Sequence, residues 1–146
     1  MDQSTLAHYD DAGRLVWSLD AAVVRYDRGA DESRAQDVRV RFTGTNSNSE
    51  TQTASLAIRA DRLVFDHRTR DLFLQGGVHG DGPEGLTFEA ERAQWNAERS
   101  TVAGNSSVRI RREDLSMKGT GFTYDLQSES LTLQSASLQV QLGGAD

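Results

Sequence analysis

Few residues of this chain are spaced for covalent chemistry. It has three histidines, His8, His67 and His79, and none lies at metal-ligand spacing from another histidine or a carboxylate. All three read as exposed loop residues. Carboxylates are plentiful, yet nothing in their order marks a general acid set against a base. Hydroxyls are plentiful too, but no Gly-x-Ser-x-Gly elbow occurs. Residues 76–85 hold five glycines and the single proline. They lack the Gly-Lys-Ser/Thr of a phosphate loop, and no helical pattern follows to aim a dipole at an anion. Gly119-Thr-Gly121 is too short for a dinucleotide fingerprint, and Asn105-Ser-Ser107 is a sequon of a kind that arises by chance. Arg109, Arg111 and Arg112 form a small basic cluster, read either as a solvated strand face or as a contact for anionic head groups. With no cysteine, disulfides, thiolate metal sites, iron–sulfur clusters and thiol nucleophiles are excluded. The expectation is a protein that is not an enzyme, with no catalytic residue, no metal and no cofactor.

The chain has 146 residues, which suits a single domain over 1–146. Its 22 acidic and 16 basic residues leave a net charge of −6, which argues against nucleic acid as a partner. No run of apolar residues is long enough to span a bilayer. The opening Met-Asp-Gln-Ser-Thr is not a signal peptide. Either a cytoplasmic chain or one stripped of a targeting segment fits that start.

Whatever the chain does must rest on a repeated unit. A pattern of apolar, x, apolar, x, Ala/Gly, x, x, apolar, x, aromatic, Asp/Asn occurs four times. The first copy is Trp17, Leu19, Ala21, Val24, Tyr26 and Asp27, and the second Leu56, Ile58, Ala60, Leu63, Phe65 and Asp66. The third is Leu86, Phe88, Ala90, Ala93, Trp95 and Asn96, and the fourth Leu115, Met117, Gly119, Phe122, Tyr124 and Asp125. Apolar residues two apart mark a half-buried strand. After the small residue the buried side changes parity, as at a bulge or bend. The aromatic then resumes burial, and Asp/Asn opens a turn through its side chain.

Return strands follow each unit: Leu72 and Leu74 after Phe65, Val102 after Trp95, Leu131 and Leu133 after Tyr124, with Val78 and Val108 extending the arms. The first copy returns later, through Val38, Val40 and Phe42, after a polar loop at 28–36. Residues 43–53 and 76–85 read as two further loops. No segment has a helical period. The expected fold is all-β: tandem hairpins stacked along one axis, with two sheets facing each other as a sandwich or open jelly roll. Its terminal strands carry unpaired edges that invite another sheet.

The candidate binding residues are Trp17, Leu19, Leu56, Ile58, Leu86, Phe88, Leu115 and Met117, four stacked apolar pairs. They are either plain core or the lining of a trough between sheets that do not close. A trough would suit alkyl chains, whose burial is worth about 0.8 kcal/mol per methylene. Periodicity alone favours core. A third reading, an enzyme on a β scaffold, needs a carboxylate pair in a polar cleft, and the sequence offers none.

Three segments carry a family resemblance. The stretch from Tyr9 through Gly13, Leu15, Trp17, Leu19 and Ala21 to Tyr26 and Asp27 resembles the opening strand of the periplasmic domain in the LptC family of lipopolysaccharide-export proteins. Ala60-Asp-Arg-Leu-Val-Phe65-Asp66, continued by Leu72-Phe-Leu74-Gln-Gly76-Gly-Val78, is similar to the repeat that LptC shares with LptA and the N-terminal domain of LptD. Gly119-Thr-Gly121-Phe122 with Asp125 resembles the Gly-x-Gly segment near the end of LptC domains. The likeness runs from Leu6 to Leu142.

This resemblance implies an open, V-shaped antiparallel β-jelly roll with an apolar groove for the acyl chains of lipopolysaccharide or a related lipid. It implies the periplasm, and an inner-membrane anchor ahead of the domain in the full-length protein. It implies partners: the inner-membrane ABC transporter with LptF/LptG, and LptA, joined edge to edge. By the same analogy the groove residues are the eight above. The C-terminal edge is carried by Leu131, Leu133, Leu138 and Val140. The alternative is a periplasmic bridge that acts only through its sheet edges.

Overall fold

The computed structural model describes residues 4–43, 54–135 and 137–140, with side chains over 4–43 and 56–135. Ten strands form one sheet among them: β1 (Ser4–Tyr9), β2 (Leu15–Asp27), β3 (Glu32–Thr43), β4 (Ala54–Asp66), β5 (Leu72–Asp81), β6 (Thr87–Asn96), β7 (Thr101–Arg112), β8 (Leu115–Asp125), β9 (Ser130–Leu133) and β10 (Ser137–Val140). Every neighbouring pair is antiparallel, and order across the sheet follows order along the chain. The last position is shared: β9 pairs with Phe122–Asp125 of β8, and β10 with Leu115–Lys118. The expected two facing sheets are thus one sheet folded over on itself.

The fold-over happens along a crease that crosses every long strand. In β2, β4, β6 and β8 the inward side changes parity just past Ala21, Ala60, Ala90 and Gly119, where the repeat places it. A small side chain there lets the strand bend without crowding its neighbours. β5 and β7 meet the crease differently, each with one extra residue against its partners. In β5 the extra residue lies at Gly76 and Gly77, which take φ of +87° and +55°. A side chain at Gly76 would run into Asp61, 2.8 Å away. These glycines therefore build a strand. The expected loop at 76–85 shrinks to the Gly82 turn and the short 3-10 helix Pro83–Gly85. The loop at 28–36 shrinks likewise, because β3 already starts at Glu32 and pairs with Asp27. Of the loop at 43–53, Thr43 is the buried end of β3; the others lie outside the described residues.

The crease divides the sheet into two halves. The base half holds β1, β10 and the Trp17, Ile58, Phe88 and Met117 ends of the long strands. The tip half holds the four hairpin turns after β2, β4, β6 and β8. The repeat's final Asp/Asn makes each of these turns. Its Oδ1 accepts a backbone N–H from Ala30 onto Asp27 (3.2 Å), Arg68 onto Asp66 (2.9 Å), Arg99 onto Asn96 (3.0 Å) and Gln127 onto Asp125 (2.9 Å). Four residues after each comes a residue with φ near +60°: Asp31, Arg70, Ser100 and Glu129. The inward faces of the two halves meet in a single apolar core.

One part of the repeat departs from expectation. Beyond Ala21, β2 has no neighbour on its outer side among the described residues, since β1 ends its pairing there. Val23 and Tyr26 are therefore 51% and 55% exposed, so the aromatic of the first copy does not resume burial.

Candidate groove and sheet edges

The register brings the candidate groove residues together. One inward row runs across the base half: Leu19, Val40, Ile58, Gly80, Phe88, Ile110 and Met117. A second begins Trp17, Phe42, Leu56. Six of the eight predicted residues thus share one wall; Leu86 packs against the core beside it, and Leu115 lies at the start of β8 opposite Arg112 and Val140. Return-strand residues Val40, Phe42 and Ile110 complete it; their alternation was legible, but the repeat alone did not assign them to the wall.

The opposite wall comes from the tip half, and three aromatic pairs join the two. Trp17 meets Phe65 edge-on at 5.2 Å between ring centroids, Phe42 meets Trp95 at 4.7 Å, and Phe88 meets Phe122 at 5.2 Å. Such pairs are worth about 0.5–1.5 kcal/mol each beyond burial. Phe88 can take its place because Gly80 faces it: a Cβ at Gly80 would overlap the ring. Sequence reasoning found the members of these pairs as apolar positions, but not who meets whom.

Burial divides the eight candidates. Trp17, Leu19, Leu56, Ile58 and Phe88 are sealed in the core, whereas Leu86, Leu115 and Met117 stay partly exposed. The interior is closed from β2 to β6 and looser towards β8. Four buried polar side-chain atoms lack a hydrogen-bond partner among the described residues: Trp17 Nε1, Trp95 Nε1, the Tyr124 hydroxyl and the Ser106 hydroxyl on β7. Burial, then the charge of Glu129, pushes the Tyr124 hydroxyl pKa up. An unmade hydrogen bond of this kind costs about 1–3 kcal/mol.

The histidines are more engaged than loop residues would be. His8 lies on β1, stacked on Trp17 at 5.7 Å. His67 Nε2 is 2.7 Å from the buried Ser33 hydroxyl, tying neighbouring hairpin tips together. His79 lies within β5, its nitrogens 3.4 Å from Asp81 and 3.6 Å from Glu89. Among the described residues no three His, Asp or Glu side chains gather closely enough for a metal ion. Arg109 sits in an outward row with Asp20, Arg39, Arg59, His79, Glu89 and Lys118. Arg112 pairs with Glu84. That mixed-charge ladder fits a solvated strand face.

Two sheet edges remain. In the base half they are β1 and β10, in the tip half the end of β2 and β9; among the described residues no strand joins one side to the other. Leu131 and Leu133 sit on β9, both partly buried against the core. Leu138 and Val140 sit on β10 opposite Met117 and Leu115; their side chains lie outside the described residues.

One antiparallel sheet, creased along its middle, apolar between its halves and unclosed at its edges, defines the open β-jelly rolls. The crystal structure of LptH, the LptA-homologous periplasmic component of the lipopolysaccharide transport device of Pseudomonas aeruginosa, has this fold. It superposes with a TM-score of 0.65 over 86% of this chain and 94% of that one, at 10% identity. The model of the LptC-related family of lipopolysaccharide-assembly proteins matches residues 1–138. The chain belongs to that family, and its role lies in lipopolysaccharide assembly. Among curated proteins, none matches.

Proposed function

We propose that this domain carries lipid: acyl chains of lipopolysaccharide enter between the two halves of the sheet and pass along the inward rows. One observation supports this above others. The apolar interior lies between halves of a sheet whose strand pairing, among the described residues, runs from one half to the other only through the crease, so it can widen by hinging there without unpairing any strand. The looser packing at Leu86, Leu115 and Met117 gives a place for widening to start. The unpartnered Trp17, Trp95 and Tyr124 donors would find acceptors in the ester and hydroxyl oxygens of such a lipid.

In this reading the domain works in the periplasm, held to the inner membrane by a segment ahead of Leu6. Lipid arrives from the ABC transporter with LptF/LptG at the β1–β2 side. It leaves along the β9–β10 edge, to which an LptA-like jelly roll adds a strand. Photocrosslinking amino acids at Ile58, Phe88 and Met117 test the groove in cells. Lipopolysaccharide adducts are expected from all three, and none from Arg99 on a hairpin turn. Adducts from Arg99 alone would defeat the proposal. Met117→Asp separates transport from folding, since Met117 is only half-buried; transport should fall while the circular dichroism spectrum holds.

A second reading, a bridge that acts only through its edges, is favoured by the seal over Trp17, Leu19, Leu56, Ile58 and Phe88. Native mass spectrometry of protein extracted from membranes decides between them. Co-purified lipid supports the carrier, and lipid-free protein under the same extraction supports the bridge.

A further inference from the structure

The outward face of the tip half holds a feature the carrier role does not use. A shallow trough of about 760 Å³ crosses β3 to β8 on this face, a size typical of a site for one small molecule. Its lining contains three arginines and no carboxylate, in a chain of net charge −6. Arg34 is paired with Glu32 at 2.8 Å. Arg62 and Arg92 have no ion pair among the described residues.

Register places those two arginines on either side of one residue. Arg62 lies opposite Gln75 on β5, and Gln75 lies opposite Arg92 on β6. Two strand spacings, about 10 Å, separate the arginine backbones. Two extended arginine side chains can close on a single anion above Gln75 from that distance. Two residues along the same face of β5 stands Phe73, 41% exposed, beside Val64 on β4 and Gln94 on β6. Gln36 and Asn105 add further side-chain amides to the rim.

The geometry points to a binding site for a phosphorylated saccharide in this trough. Arg62 and Arg92 take the phosphate by charge-assisted, bidentate hydrogen bonds. The amides supply donors and acceptors in equal number, which suits hydroxyl groups that are both. The Phe73 ring offers a flat apolar surface to the C–H face of a sugar ring. A plain anion site would need neither the ring nor the amides, and an apolar peptide site would not need the unpaired arginines.

The test uses the purified domain and a probe without acyl chains, so its outcome is separate from the fate of the interior groove. Trehalose 6-phosphate, trehalose and inorganic phosphate are titrated in turn, followed by amide chemical shifts. Trehalose 6-phosphate should shift Phe73, Gln75 and Arg92 and bind more tightly than either control. Arg62→Gln with Arg92→Gln should weaken it by about tenfold or more. Phe73→Ala should weaken trehalose 6-phosphate while leaving the response to inorganic phosphate unchanged. All three positions are exposed, and an unchanged circular dichroism spectrum verifies the fold. Three results overturn the assignment: no shifts in the trough, affinity unmoved in the double variant, or inorganic phosphate bound as well as the sugar phosphate.

Discussion

Single side chains set the hairpin tips. The Asp/Asn that ends each repeat was legible as a turn former because its carboxylate or amide can reach a backbone N–H two or three residues on, and all four do so. The left-handed residue four positions later carried no such signal, since Asp31, Arg70, Ser100 and Glu129 have no side-chain group common to all four. Ser100→Gly should therefore raise stability by about 1 kcal/mol, by removing the Cβ clash of that conformation. Asn96→Ala should lower it by about as much through the lost turn bond. Thermal melts compare the two, and a destabilised Ser100→Gly would contradict the strain. His8 gives a pH response. Burial, then the charge of Arg70, hold its imidazole below the ordinary 6.5, against the opposing pull of Asp10 and Asp11. Just below that value the unfolded chain binds more protons than the folded one, so stability rises with pH through this window and is lost on acidification. Amide protection factors in β1, taken against the intrinsic exchange rate at each pH, should fall on acidification from neutral pH, and His8→Phe should remove that pH dependence.

Strands show where local pattern suffices and where it fails. The parity change after Ala21, Ala60, Ala90 and Gly119 was readable because alternation is a local property of a pleated strand. The strand through Gly76, Gly77 and Gly80 was not. Glycine usually weakens strands, and only the crease and the facing Phe88 ring give these residues a reason to be in one. The coupling is testable. Gly80→Ala should cost about 2 kcal/mol by overpacking. Combined with Phe88→Leu, most of that cost should vanish, because the clash partner is gone. Urea denaturation of the two single variants and the double variant measures the coupling energy, and simple additivity would rule out this contact.

At the scale of the molecule, three aromatic pairs hold the halves together, and the opening that the proposed carrier role requires must part them. A variant with Phe88→Leu and Phe122→Leu keeps apolar volume but loses the ring pair at the looser end of the interior. It should take up fluorescent lipopolysaccharide faster than the parent in stopped-flow mixing, with a stability loss of about 1 kcal/mol. An unchanged uptake rate would separate this pair from the opening step. The amino-acid sequence by itself determined the repeat, the all-β class, the hairpin turns, the crease and the family, because each is written in residues close together along the chain. The tertiary structure alone decided that two facing sheets are one folded sheet. It also decided which aromatics meet across the crease, that five of the eight candidate groove residues are sealed while three are not, and that Arg62 and Arg92 flank Gln75. Those outcomes depend on how residues far apart in the chain are brought into register, and spacing along a strand does not encode its neighbour across the fold.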